Sequence, residues 1–159
     1  MFQRILVPLD FTEKSEAALE KASTMALAAR DEGYEGATVW LVHVIETIRD
    51  TDFEELRDFY EPIERRAQAQ LERYATALAN DGVEVEVVVR YGNRVREIVA
   101  TAHEAEADLV LLGSHRVEHI GMSAGGLATI SYQVAVLAPC SVLLLKPGAT
   151  ADQTAGEPL

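Results

Sequence analysis

Several things are scarce in this chain, and each scarcity excludes something. There is one cysteine, Cys140, so no intrachain disulfide can form, in keeping with a reducing compartment. No apolar run approaches the roughly 20 residues that a membrane-spanning helix needs, which argues against a membrane protein. Lysine occurs only at positions 14, 21 and 146, and arginine supplies the other eleven of the 14 basic residues. Against 26 Asp and Glu this leaves a formal net charge of −12. Such a surface lacks the clustered cations that a nucleic-acid partner requires. The acid excess fits either a salty cytoplasm or an ordinary acidic soluble protein. Met1-Phe2-Gln3-Arg4-Ile5 runs directly into a strand pattern without a signal-peptide segment, so a cytoplasmic location is expected. No His-Glu-x-x-His or Gly-Lys-(Ser/Thr) phosphate loop is present, and no catalytic constellation is in view.

What is there is an alternation of short apolar runs with helical patterns. With 48% apolar and 25% charged residues over 159 positions, one folded domain is expected over 1–147. The tail, 148–159, has no core-forming pattern and is expected to be disordered. Phe2 to Pro8 reads as a first strand with Ile5-Leu6-Val7 buried. A helix capped by Thr12 or Ser15 follows, its inner stripe Ala18, Ala22, Met25, Ala26 and Ala29. Gly33 and Gly36 close it, and Val39 to Val44 is a second strand. Phe53, Leu56, Tyr60, Ile63, Ala67, Leu71, Tyr74 and Leu78 recur at helical spacing, and Pro62 predicts a kink or break near Tyr60-Glu61. After Asn80-Asp81-Gly82 come a third strand, Val83 to Tyr91, and a helix marked by Val95, Ile98, Val99 and Ala102. The fourth strand runs from Asp108 to Gly113. A polar, glycine-bearing loop leads to a helix capped by Thr129 or Ser131 and ending near Leu137. Val142 to Leu145 is the last strand.

Strands that alternate with helices imply an open, doubly wound parallel sheet of five strands with helices on both faces, a Rossmann-like α/β architecture. Ligands in such sheets sit beyond the carboxyl ends of the strands, where the strand order reverses. Here those ends carry Pro8 to Thr12, Val44 to Glu46, Tyr91 to Asn93, and Gly113 to Gly126. The strand, glycine-bearing loop and helix start around Gly113 set free N–H groups beside a positive helix end, which suits a phosphate.

Other chemistry can be weighed by residue type. Asp10 could bind a ribose hydroxyl or a metal, or could simply end a strand and help cap a helix. Arg116 could pair with phosphate oxygens or be a solvated loop residue. His115 and His119 have a metal-compatible spacing without further ligands nearby. His43, inside an apolar strand, reads as a satisfied core histidine, His103 as a helix-surface residue, and Cys140 as a packing residue. A phosphoacceptor domain of two-component signalling would place an aspartate after strand three. This chain has Arg90-Tyr91-Gly92 there.

In this order the segments resemble the universal stress protein family over Phe2 to Pro147. The residues that carry the resemblance are Ile5-Leu6-Val7-Pro8-Leu9-Asp10, Leu41-Val42-His43-Val44-Ile45-Glu46, Ala107 to Ser114, and Ala138 to Pro147. The resemblance implies a cytoplasmic stress-response regulatory protein that dimerises through its last strand (Val142, Leu143, Leu144, Leu145). It also implies ATP or AMP binding, with Mg possible alongside ATP, Asp10 and Val44 holding the adenosine and Pro8 beside them. The family's phosphate loop is Gly-x2-Gly-x9-Gly-(Ser/Thr). Gly113 fits its first position, Arg116 replaces its second glycine, and Gly126 falls on the third. The Ser/Thr position is Leu127 or, aligned back from Pro139, Thr129. Two alternatives stand beside a nucleotide switch: a nucleotide-independent dimeric module that contacts an unknown protein partner, and a slow ATP hydrolase.

Overall fold

The computed structural model describes residues 2–31, 33, 36–48, 54–114 and 129–146. Along the chain run β1 (Arg4–Pro8), α1 (Glu13–Asp31), β2 (Thr38–Ile45), a 3-10 turn (Glu54–Leu56), α2 (Arg57–Asn80) and β3 (Glu84–Tyr91). They are followed by α3 (Arg94–Glu104), β4 (Leu109–Gly113), α4 (Ile130–Leu137) and β5 (Ser141–Leu145). The strands form one parallel sheet in the order β3-β2-β1-β4-β5. The expected five-stranded doubly wound architecture is the one observed, with its switch point between β1 and β4. The tail beyond position 146, and the expectation of its disorder, lie outside the described residues.

The strands alternate their side chains between two cores, as the pleat requires. Ile5, Val7, Val39, Leu41, Leu109 and Leu111 face α1 and α2, meeting Ala18, Ala22, Leu71 and Leu78. Leu6, Val42, Val44, Val110 and Leu112 face the other side, meeting Ile98 and Ala102 of α3 and Val134 of α4. Burial on both faces explains why β1 and β4 read as unbroken apolar runs. The alanine stripe of α1 is buried at Ala18, Ala22, Ala26 and Ala29, so this helix lies close on the sheet, while Met25 is only half-buried. Glu84 and Glu86, on the edge strand β3, are exposed.

Pro62 does not break its helix. The helix α2 runs unbroken through it to Asn80 and is preceded by the 3-10 turn. The proline falls in the second turn and costs one backbone bond, to the carbonyl of Asp58. Tyr60 and Ala67, buried on either side of it against Ile45, hold the helix to the sheet. Ile48 N–H donates to the Tyr60 hydroxyl at 2.8 Å, which fixes the chain leaving β2.

At the amino ends of the strands Asp108 ties β1 to β4. Its carboxylate accepts from the N–H of Gln3 (2.8 Å) and of Arg4 (3.0 Å), and its own N–H donates to the Arg4 carbonyl (3.0 Å). Arg30 reaches across to the Gly82 carbonyl at 3.0 Å, closing α1 onto the end of α2. Among the described residues, no helix is long and apolar enough to cross a membrane.

Candidate functional site

The switch point holds a cavity of about 330 Å³ at the carboxyl ends of β1, β2 and β4, roofed by the first turns of α1, α3 and α4. Pro8, Asp10, Val44, Gly113 and Thr129 all line it. Five of the seven residues expected from sequence therefore meet in one place, although they lie up to 121 positions apart (129 − 8). Arg116 and Gly126 lie outside the described residues, as do His115 and His119.

How the chain leaves β1 sets the floor. Leu9 N–H makes one more ladder bond to the Val42 carbonyl (2.8 Å). Phe11 then takes a left-handed backbone (φ 62°), turning the chain out of the sheet and into α1. That conformation costs a non-glycine residue about 1 kcal/mol or more. Between them, Asp10 accepts from the Thr12 hydroxyl at 2.6 Å and the Thr12 N–H at 3.1 Å. Burial works to raise its pKa, but the Thr12 and Ser15 hydrogen bonds outweigh it and hold the carboxyl below its ordinary value. Asp10 is thus an anion on the cavity floor and also the brace for the start of α1. Of the roles posed from the sequence, the helix brace is the one observed.

Val44 contributes more than an apolar wall. Thr38 N–H bonds to Gln3 and Val42 C=O to Leu9, while Ile45 C=O accepts from Gly92 on the other side. Hydrogen bonding in a parallel strand alternates sides residue by residue. The N–H and C=O of Val44 therefore point toward β1, beyond the place where β1 has ended. One donor and one acceptor, side by side at the cavity, are what the edge of a heterocycle needs.

Gly113 is explained by packing. A Cβ there would lie 2.3 Å from the Lys14 carbonyl oxygen, so only glycine lets β4 end against the first turn of α1. Thr129 is the N-cap of α4: its hydroxyl accepts from the Tyr132 N–H at 3.3 Å, and Ile130 and Ser131 also line the cavity. The amino end of α4 thus faces the same space and favours a negative group there.

Other polar residues line the cavity too: Lys14 and Arg94, given no role from the sequence, Thr12, Ser15 and Ser131, read there as helix caps, and His43, read as a core histidine. His43 is half-buried at the cavity wall, its Nδ1 2.7 Å from the Leu9 carbonyl oxygen and its ring stacked on Phe11 with centroids 4.4 Å apart. A carbonyl only accepts, so Nδ1 carries the proton. Burial first, and then the charge of Arg94, hold the imidazole below its ordinary pKa and neutral. Arg94, the first residue of α3, bonds to Glu46 Oε2 at 2.9 Å. Cys140 is half-buried against the α3 side of the core, where burial and Asp108 push its thiol pKa up, so it is a packing residue. Among the described residues no three His, Cys, Asp or Glu side chains group to hold a metal.

The model of the universal stress protein family matches residues 1–146. The chain belongs to that family. Among solved structures it is similar to the universal stress protein UspA from Lactobacillus plantarum, with 18% identity and a TM-score of 0.70, covering 90% of this chain and 97% of that one. It is also similar to a universal stress protein in complex with cAMP, with 21% identity, a TM-score of 0.64 and coverage of 91% and 97%. A family member from Arabidopsis thaliana with AMP bound has 20% identity, a TM-score of 0.64 and coverage of 92% and 93%. No curated protein matches the sequence. These likenesses establish the shared sheet and helices.

Proposed function

We propose that this universal stress protein family member is a cytoplasmic regulatory module of the stress response that binds a nucleotide, ATP or AMP, in the switch-point cavity. The observation that carries the reading is the convergence of Asp10, the main chain of Val44, Gly113 and the start of α4 on one cavity. The ribose hydroxyls would meet Asp10, the base Val44, and the phosphates the side between β4 and α4. Relatives with cAMP and with AMP bound support it. Arg116 in place of the second loop glycine removes some backbone access to phosphate and adds a cation. Losing one donor to phosphate weakens binding roughly tenfold to a hundredfold, which puts affinity on the order of micromolar to millimolar. Calorimetry with ATP, AMP and adenosine tests this. Asp10→Ala is expected to weaken all three alike and Arg116→Ala to weaken ATP more than adenosine. No heat at millimolar ATP on folded protein would overturn it.

The functional unit is proposed to be a homodimer through β5. This strand is a sheet edge, and beside it Val136 (64% exposed), Leu137 (58%), Tyr132 and Leu143 present apolar surface to solvent. The same surface favours a second reading, a nucleotide-independent interaction module, should calorimetry show no binding.

A further inference from the structure

His43 is the one ionisable side chain of β2. Val42 and Val44 face the α3 side of the sheet, so by the alternation of the pleat His43 faces the other side, toward α1 and α2. There it grips the chain on both sides of Asp10. Its Nδ1–H donates to the Leu9 carbonyl at 2.7 Å, and its ring lies on that of Phe11 at an interplanar angle of 21°. Phe11 also meets Tyr74 of α2, with centroids 6.4 Å apart, and the Tyr74 hydroxyl donates to Glu16 Oε1 in the first turn of α1. The Phe11 ring thus packs against the core under α1 and α2, while Asp10, one residue earlier, lines the cavity.

The left-handed backbone of Phe11 (φ 62°) is what brings Thr12 back to Asp10. An aspartate oxygen that accepts from the N–H two residues on closes a tight turn, and the residue between must bend the chain back. With an extended residue 11 the Thr12 N–H and hydroxyl would leave the carboxylate, and nothing would hold its direction. A backbone conformation this costly persists only where its surroundings over-determine it. Here the bond to Leu9 and the stack on Phe11 come from one side chain. We infer that His43 is a positioning residue of the nucleotide site: by clamping Leu9 and Phe11 it fixes the turn that presents the Asp10 carboxylate to the ribose. This rests on the nucleotide reading above and names what orients the ribose end of that site.

The test is calorimetry of ATP and 2′,3′-dideoxy-ATP, which differ only in the ribose hydroxyls. It is run on the full chain, on His43→Leu, His43→Asn and Asp10→Ala, and on the double variant His43→Leu/Asp10→Ala, each shown to be folded by its melting curve. His43→Leu is expected to weaken ATP roughly three- to tenfold, part of the worth of a charged hydrogen bond, and dideoxy-ATP by less than about twofold. In the double variant its effect should vanish into that of Asp10→Ala, because both act on the same contact. His43→Asn, whose amide N–H can take the place of Nδ1–H, keeps the Leu9 bond without the ring and should recover part of the loss. If His43→Leu does not fold, Phe11→Leu, which removes the stack but keeps an apolar side chain, is held to the same criteria. Equal losses for the two nucleotides, or losses that add to that of Asp10→Ala, would overturn the inference and leave the nucleotide reading intact. No binding of ATP to the unaltered chain would overturn both.

Discussion

Gly113 shows how one atom can decide the approach of two elements. The nearest obstacles to a side chain there are the carbonyl oxygen and carbon of Lys14, 2.3 and 2.6 Å from an added Cβ. Both are backbone, so they cannot swing aside as the end of a long side chain would. Gly113→Ala is expected to push α1 from β4 and cost about 1–3 kcal/mol, the usual range for overpacking. For a domain of this size that is a fall in Tm of very roughly 2–12 °C, measurable by calorimetric melting. A Tm unchanged within a degree would show that the helix can shift freely. The requirement holds whether or not a phosphate binds, so the glycine at the first motif position cannot by itself argue for one. Asp10 has the same double character. Its bonds to Thr12 brace the α1 start, and its charge is what a ribose would meet.

At the scale of elements, much of this molecule was legible in the sequence, because each strand buried on both faces is a short, unbroken apolar run. Ile5 to Val7 and Leu109 to Leu112 are such runs, and the stripe on α1 follows the helical repeat. Proline was harder to read. Pro62 signals a break, yet the anchorage of Tyr60 and Ala67 outweighs one missing backbone bond. The site was legible where it lies at strand ends, as at Pro8, Asp10, Val44 and Gly113. Arg94 and Lys14 were not, since their place on the wall depends on how far each helix start leans over the sheet, and His43, inside the apolar β2, reads from sequence as a core residue. The edge strand offers a sharp test of assembly. Leu144 packs inward with the α3-side core, whereas Leu143 is 37% exposed. Leu143→Lys is expected to shift the sedimentation of a β5-paired dimer toward monomer with little change in melting. Leu144→Lys should lower both. A chain that sediments as monomer at micromolar concentration before any substitution would remove the dimer.

For the whole molecule, 26 acidic against 14 basic side chains make a surface that repels itself. Raising salt from about 0.01 to 1 M shortens the screening length from roughly 30 to 3 Å. Tm is therefore expected to rise over that range, as a thermal melt series would show. A flat or falling series would remove the case for a salt-adapted chain. The strand order has a further consequence, for synthesis. The chain makes β1 first, but one of its two partners, β4, pairs Val110 with Leu6 only 104 positions later (110 − 6). When β3 has left the ribosome, β1 to β3 can assemble beneath α1 and α2, with Leu6, Val42 and Val44 bare on the other face and one edge of β1 unmated. Roughly 20 more residues are needed to reach the end of β4, an interval of about 1–4 s at ordinary elongation rates. Through that interval the nascent chain carries an open sheet, a natural substrate for a chaperone, and the cavity takes form among the last features to close.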